Sequence, residues 1–427
     1  MLPTPTHRTI DALWRMESGR IIAGVARLVR DVGLAEELAH DALVAALEQW
    51  PTQGVPEQPG AWLMTTARRR AIDWLRRRKL QQRKHEELSY HWDEADADTE
   101  NISDETIEDS LLRLIFTTCH PALPTDSRVA LTLKLLAGLT TGEIARAFLS
   151  TEPTIAQRIV RAKRTLADEN IPFEVPQGEE QHERLASVLE VIYLLFNEGY
   201  AATTGDDLIR PALCEEAQRL GRILAELMPR EAEVQGLIAL LELQASRLKT
   251  RTNAQGEPVL LMDQNRARWD QLLIRRGLEA LARGKALQQS PGIYLLQAEI
   301  AACHARARTP GETDWKQIAA YYDILLEVYP SPIVALNRAV AIGMAYGPQV
   351  ALPLVEELEK EPLLAGFHLV ASVRGDLLEK LHRFPEASLA YEQAASQTRN
   401  EKERQQLLQR AKTCTNRFNA STDQKIS

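Results

Sequence analysis

Across 427 residues there are only four cysteines, Cys119, Cys214, Cys303 and Cys414, and they lie far apart. No C-x-x-C pair and no Cys/His set at zinc spacing occurs, which excludes a disulfide scaffold and a structural zinc site. Thiols at this density suit a reducing compartment. Alternating Val/Ile/Thr runs bounded by Asn-Gly or Asp-Gly turns are missing, so hairpins are not expected. No run of about 18 apolar residues is present, so no membrane span is expected. The opening MLPTPTHRTIDALW has no basic stretch followed by an apolar core, so no secretory leader is expected and the expected location is cytoplasmic. Gly-rich phosphate loops, HExxH and GxSxG are also absent, and catalysis, cofactor and metal find little support. Cys119-His120 invites a nucleophile–base pairing. Adjacent residues on a helix point different ways, however, and His120 before Pro121 reads as a helix end.

What remains is helical periodicity. Ile21, Ile22, Val25, Leu28 and Val29 recur at helical spacing, as do Leu38, Ala42, Leu43, Ala46 and Leu47, with Pro51 expected to end that helix. With 44% apolar residues the chain can bury a core, and at roughly 100–200 residues per domain it holds two or three domains. The fold class is all-α.

The net charge of −8 hides a sharp local asymmetry. Residues 61–84 hold nine Lys and Arg against the single acid Asp73. Residues 86–109 hold eleven Asp and Glu and no Lys or Arg. The first segment is a basic helix; the second reads as a solvated acidic tether. A second break falls at IPFEVPQGEEQ, where Pro172, Pro176 and Gly178 interrupt any helix. Beyond it the chain reads as stacked helical hairpins. DWKQIAAYYDILLEVYPSPIVALNRAVAIG and the stretch carrying Ala387, Leu389, Ala390, Tyr391, Ala394 and Ala395 look like degenerate tetratricopeptide-type units.

Four segments could carry function. In AWLMTTARRRAIDWLRRRK, Trp62, Ala67, Ile72, Trp74 and Leu75 supply apolar contacts among the arginines. Such a helix can neutralise phosphates and stack on unpaired bases, or it can be a solvated basic face. Asp73 is spaced to pair with Arg69 and Arg77. In LTTGEIARAFLSTEPTIAQRIVRAKRTLA, Thr140 or Thr141 can cap a short helix that buries Ile144, Ala145 and Phe148. A second helix begins near Glu152–Pro153, with Ile155, Ile159, Val160 and Ala162 inward and Thr154, Gln157, Arg158, Arg161 and Arg164 outward. This is either a helix-turn-helix, whose Gln and Arg reach base edges, or an ordinary helical hairpin. Asp31, Glu36, Glu37, Asp41 and Glu48 line one side of an otherwise apolar helix that can face a basic partner or plain solvent. Finally, Glu198 with Asp206 or Asp207 reads as a polar turn between helices sooner than as a metal site, and the dense polar patch MDQNRARWD (Asp263, Gln264, Arg266, Trp269, Asp270) reads as a hydrogen-bonded junction between helices.

The order of these motifs over residues 8–170 resembles the extracytoplasmic-function sigma factors. The remainder, with LIFTTCHPALP, LFNEGY, DQNRARWD and SPIVALNRAVA, is similar to their subgroup with a long tetratricopeptide-like C-terminal domain. The resemblance implies two small helical sigma domains, residues 1–84 and 110–171, joined by the acidic linker 85–109 and followed by a helical domain at 182–419. It implies a non-enzymatic factor whose partners are core RNA polymerase, promoter double-stranded DNA and the melted non-template strand. The helix at 31–50, with Asp31, Glu36, Glu37, Leu38, Asp41 and Leu43, would dock on the polymerase clamp. Trp62, Arg68, Arg70, Asp73, Trp74, Arg76, Arg77 and Arg78 would engage the −10 element, with Arg69 standing where Asn is more usual. Thr154, Gln157, Arg158, Arg161 and Arg164 would read the −35 element. The acidic linker would follow the polymerase's basic RNA-exit path, and the C-terminal helices would regulate the factor or bind a partner. The rival readings are a helix-turn-helix regulator with a tetratricopeptide-type sensor, which never acts as a sigma subunit, and a helical scaffold with an incidental basic domain.

Overall fold

A computed structural model describes residues 5–85, 104–148, 150–201, 209–253, 257–287, 290–398 and 400–426. Among them every regular element is a helix, apart from a single Thr252–Pro258 bridge. The chain divides into two compact units, Met1–Leu194 and Leu195–Ser427.

The first unit opens with α1 (Pro5–Val29), α2 (Val32–Gln53) and α3 (Pro59–His85). Arg30, at a φ of 55°, breaks the chain after α1, and Asp31 caps α2 by accepting the Leu34 N–H at 3.0 Å. Pro51 does not end α2 as its sequence position suggests. It sits in the last turn, where one missing N–H is tolerated, and Gly54 (φ 86°) closes the helix through its N–H to the Trp50 carbonyl at 3.0 Å. In α3, Leu63, Ala67 and Ala71 recur every fourth residue and are wholly buried. The two alanines let α3 lie close against α1 and α2. Trp62, Ile72, Trp74 and Leu75 are only half-buried.

Four helices follow: α4 (Asp104–Thr118), α5 (Thr125–Leu135), α6 (Thr141–Ala147) and α7 (Glu152–Asp168). The last six residues of the segment read as an acidic tether, 104–109, are thus the first turns of α4. The rest of that tether, residues 86–103, lies outside the described residues. α6 begins with a reciprocal cap: the Glu143 N–H donates to Thr140 Oγ1 at 3.2 Å, and the Thr140 N–H donates to Glu143 Oε2 at 2.9 Å. Thr151 caps α7 by accepting the Thr154 N–H. The inward stripe of α7 is Ile155, Ile159, Ala162 and Leu166. Val160, which its apolarity places in that stripe, is instead 64% exposed, because it lies one helical step past Ile159. Phe148 is half-buried.

α1 also packs on α4 and on the turn after α5. At Gly138 (φ 64°) a Cβ would lie 2.5 Å from Ser18 Oγ, so only glycine permits that approach. The next helix, α8 (Glu179–Tyr200), crosses the boundary between units, and its first half belongs to the first. There the buried Arg184 donates to the Phe116 carbonyl at 3.3 Å, and Arg128 bonds Glu190 at 3.0 Å and Ser187. Cys119 is wholly buried; burial raises its thiol pKa and lowers that of the His120 imidazole. His120 Nδ1 accepts from the Ala122 N–H instead of facing the thiol. The pair is structural.

The second unit continues with α9 (Pro211–Leu227), α10 (Ala232–Ala245), α11 (Gln271–Leu287), α12 (Ile293–Arg306), α13 (Trp315–Val328), α14 (Pro332–Tyr346), α15 (Pro348–Leu358), α16 (His368–Lys380), α17 (Phe384–Gln397) and α18 (Glu401–Ile426). From α12 onward each helix packs on the next, as stacked hairpins do. Ala387, Ala390, Tyr391, Ala394 and Ala395 form the buried face of α17, whereas Leu389 was read with them but is 66% exposed on the opposite side. Glu198 pairs with Arg210, which makes that turn a polar junction; Asp206 and Asp207 lie outside the described residues. Burial pushes the Cys214 thiol up to about 12 and Cys303 to about 11, so neither is a nucleophile at neutral pH.

At Gly375 in α16 a Cβ would lie 2.7 Å from the ring of Tyr391, which is itself fully buried and hydrogen-bonded through its hydroxyl to Glu379 at 2.9 Å. The ring has no room to retreat. Gly375→Ala should therefore destabilise the C-terminal unit by about 1–3 kcal/mol in urea unfolding, despite alanine's better helix propensity.

Candidate nucleic-acid and polymerase interface

Three helix faces of the first unit carry the candidate residues. On α3, Arg69, Asp73, Arg76, Arg77, Arg78 and Lys79 are exposed, while Arg68, Arg70, Trp62 and Trp74 are half-buried. Trp62 meets Trp50 edge-on at 5.4 Å between ring centroids. The Arg78 guanidinium lies 5.2 Å above the Trp74 ring. Asp73 does not bridge Arg69 and Arg77; it lies 3.9 Å from Arg76, three residues on. The outcome is a cationic rod with two aromatic rings held half-open along it.

On α2 the acidic face is narrower than the sequence suggests. Glu37, Asp41 and Glu48 are exposed along one stripe with Val44. Asp31 precedes the helix and caps it. Leu38 and Leu43 are buried in the three-helix core, 7% and 9% exposed, and so stand on the inward face. Asp41 pairs with Arg70 of α3 at 3.1 Å. Glu36, read as part of the exposed face, is buried. It pairs with Lys134 of α5 at 3.6 Å and with Lys163 of α7. Arg15 of α1 likewise pairs with Glu143 of α6. The segments before and after the acidic tether are therefore folded against each other.

On α7, Thr154, Gln157, Arg161 and Arg164 are exposed and Arg158 is half-buried. Arg158 lies 3.3 Å from Asp126 and Arg164 lies 3.2 Å from Asp168. Both pairs are open to solvent, and a phosphate or base edge can displace them. Arg78 of α3 and Lys163 of α7 also line one cleft of about 840 Å³ with Arg27, Arg30 and Arg113; its acids are Asp31 and Glu174. Arg27, Arg30, Arg113 and Lys163 were not singled out from the sequence. Their one trace there is isolated basic residues on amphipathic helices, a pattern shared with ordinary surface helices.

Residues 13–81 match Sigma-70 region 2, and residues 113–166 match Sigma-70 region 4. Residues 184–285 match a family of unknown function, DUF6596. An uncharacterized protein of Rhizobium meliloti (strain 1021) is 41% identical over 385 residues, 90% of each chain. A probable ECF RNA polymerase sigma factor, SigI of Mycobacterium tuberculosis, is 24% identical over 171 residues, which cover 40% of this chain and 58% of SigI. The ECF sigma factor SigK of Mycobacterium ulcerans is 30% identical over 151 residues, covering 34% and 78%. The two sigma regions coincide with the three-helix bundle α1–α3 and with α4–α7. The chain belongs to the extracytoplasmic-function sigma factors.

This sigma factor carries a helical C-terminal extension, and it binds core RNA polymerase and promoter DNA to start transcription. The helix-turn-helix reading of α6–α7 holds over the plain hairpin. No group of acidic, His or Cys side chains suited to a metal is found among the described residues, and no described helix is long and apolar enough to cross a membrane.

A carboxylate buried between two lysines depends on both partners. Glu36→Gln should lower the stability of the first unit by about 1–3 kcal/mol. Lys163→Met added to it should cost much less than Lys163→Met alone, because the two changes remove one shared interaction. Strictly additive losses in a double-mutant cycle would show that the cluster contributes nothing as a unit.

Proposed function

We propose that the exposed stripe Glu37, Asp41, Val44 and Glu48 docks on a basic surface of core polymerase. In this reading the α3 rod of Arg68, Arg70, Arg76, Arg77 and Arg78, with Trp62 and Trp74, engages the −10 element and its melted non-template strand. Thr154, Gln157, Arg158, Arg161 and Arg164 read the −35 element in the major groove. Base capture needs stacking surfaces and phosphate neutralisation, not bond making, so the factor acts without chemistry of its own and works in the cytoplasm beside the polymerase. The acidic tether follows the polymerase's RNA-exit path, and the C-terminal helices regulate the factor.

The observation that carries this reading is the pairing of two reading faces with a folded-back arrangement. A compact unit of the size of Met1–Leu194 has a radius of gyration of about 16 Å. Two elements about 25 base pairs apart are separated by roughly 85 Å of duplex at about 3.4 Å per pair. The closed unit therefore cannot contact both. Engagement of polymerase must release Glu36 from Lys134 and Lys163 and part the two regions. The tether then keeps the second region at high local concentration near its element.

Arg78→Ala and Arg158→Ala separate the roles in a reconstituted transcription assay with core polymerase. Arg78→Ala should weaken promoter binding about equally for all −35 sequences and reduce the salt slope by about one. Arg158→Ala should lose about 1–3 kcal/mol of discrimination at the −35 element. Full activity and unchanged −35 preference in both variants would overturn the assignment.

A further inference from the structure

The second unit holds a cavity of about 220 Å³ where the end of α10, α12, α13 and α14 meet the segment 261–269. Its walls combine Trp269, Trp315 and Tyr322 with Leu243 and Ile300, and Asn337 stands exposed at the rim. Trp315 meets His304 edge-on at 5.1 Å between ring centroids. Aromatic walls of this kind favour a flat apolar occupant. The volume lies below the ~300–1,000 Å³ of sites for drug-sized ligands, so the occupant is small.

Two guanidinium groups lie at or beneath the cavity, and several buried polar atoms beside it have no hydrogen-bond partner. Arg247 lines the cavity, donates to Gln244 Oε1 (2.6 Å), lies 5.5 Å over the Tyr200 ring, and leaves its buried Nε unmatched. Trp269 is 4% exposed and its indole N–H is unmatched; His304 Nδ1 is unmatched too. Beneath them Arg266, 6% exposed, donates only to neutral oxygens: the carbonyls of His304 (2.8 Å) and Ala307 (3.0 Å), and Thr313 Oγ1 (2.8 Å). Neither guanidinium has a carboxylate ion pair among the described residues, and Glu312 offsets only part of the Arg266 charge. Burial, then Arg247 and Arg266, push His304 down to about 3, so its ring is neutral and adds no competing charge. A buried donor without an acceptor is costly, and an acceptor brought by a ligand relieves that cost. An acceptor that is also negative satisfies the hydrogen bonds and the charge at once.

We propose that this cavity binds a small organic anion, a carboxylate carried on a flat apolar body. The carboxylate faces Arg247 and the Trp269 N–H, and the ring lies among Trp315, Tyr322 and Ile300. The site gives the C-terminal extension a chemical input, and it stands whether or not the promoter contacts above are assigned correctly.

The test uses the full-length protein with benzoate, salicylate and indole-3-acetate, each paired with its primary amide, in calorimetry and ligand-observed NMR. At least one carboxylate should bind saturably and about tenfold or more tighter than its amide. Arg247→Met should erase that difference, and Val340→Trp, at the cavity wall, should abolish binding of both while the thermal transition is retained. The wild-type ratio needs no variant, so a variant that fails to fold leaves the test intact. Equal binding of acid and amide, binding that survives Val340→Trp, or no saturable binding by any of the three acids overturns the proposal.

Discussion

The Glu36 carboxylate, set between Lys134 and Lys163, is the interaction on which the arrangement of the first unit turns. It is drawn from a helix that by its other face looks outward, and its two partners come from the opposite side of the acidic tether. Taking a carboxylate out of water is costly unless partners are in place, and here the partners exist only while the two regions stay together. The lysines keep part of their hydration, with side chains 21% and 23% exposed, which lowers the cost of parting them from Glu36. A partner that binds only the open form can shift such an equilibrium by its difference in affinity for the two forms. Core polymerase, for which the stripe Glu37, Asp41 and Glu48 of the same helix α2 is the proposed docking face, would be placed to do so.

Helix-level features were legible from the sequence because they are local. The periodicity of Ile21, Ile22 and Val25, the Thr140–Glu143 cap and the turn before Pro153 all act within a few residues. The differences have separate physical causes. Val160 and Leu389 are apolar residues one step off an inward stripe, and apolarity alone does not say which face is covered. Pro51 was read as a stop, but a proline in the last turn removes only one hydrogen bond. Asp104 to Asp109 were read by charge as tether, although acids are also what the start of a helix prefers. The largest miss, Glu36, depends on lysines 98 and 127 positions away, and no spacing rule reaches that far.

The second unit shows the same division between local and distant information. Its stacked hairpins follow from small residues such as Gly375, Ala387 and Ala394 that let helices approach. MDQNRARWD read correctly as a polar junction, since Asn265 caps a short turn by accepting the Ala267 N–H and Arg266 ties that turn to α12. What the sequence did not disclose is that the junction borders a cavity beside which buried Arg247, Arg266 and Trp269 atoms lack hydrogen-bond partners. That arrangement appears only when α10, α12, α13 and α14 are brought together.

The account is tested most directly by the distance between the two sigma regions in the free and polymerase-bound protein. The native cysteines are all buried, so Gln49→Cys on α2 and Glu169→Cys at the end of α7 can be spin-labelled at exposed positions. A single short distance is predicted for the free protein, replaced by a much longer one when core polymerase and promoter DNA are added. The same short distance in the transcription-competent complex would contradict the account.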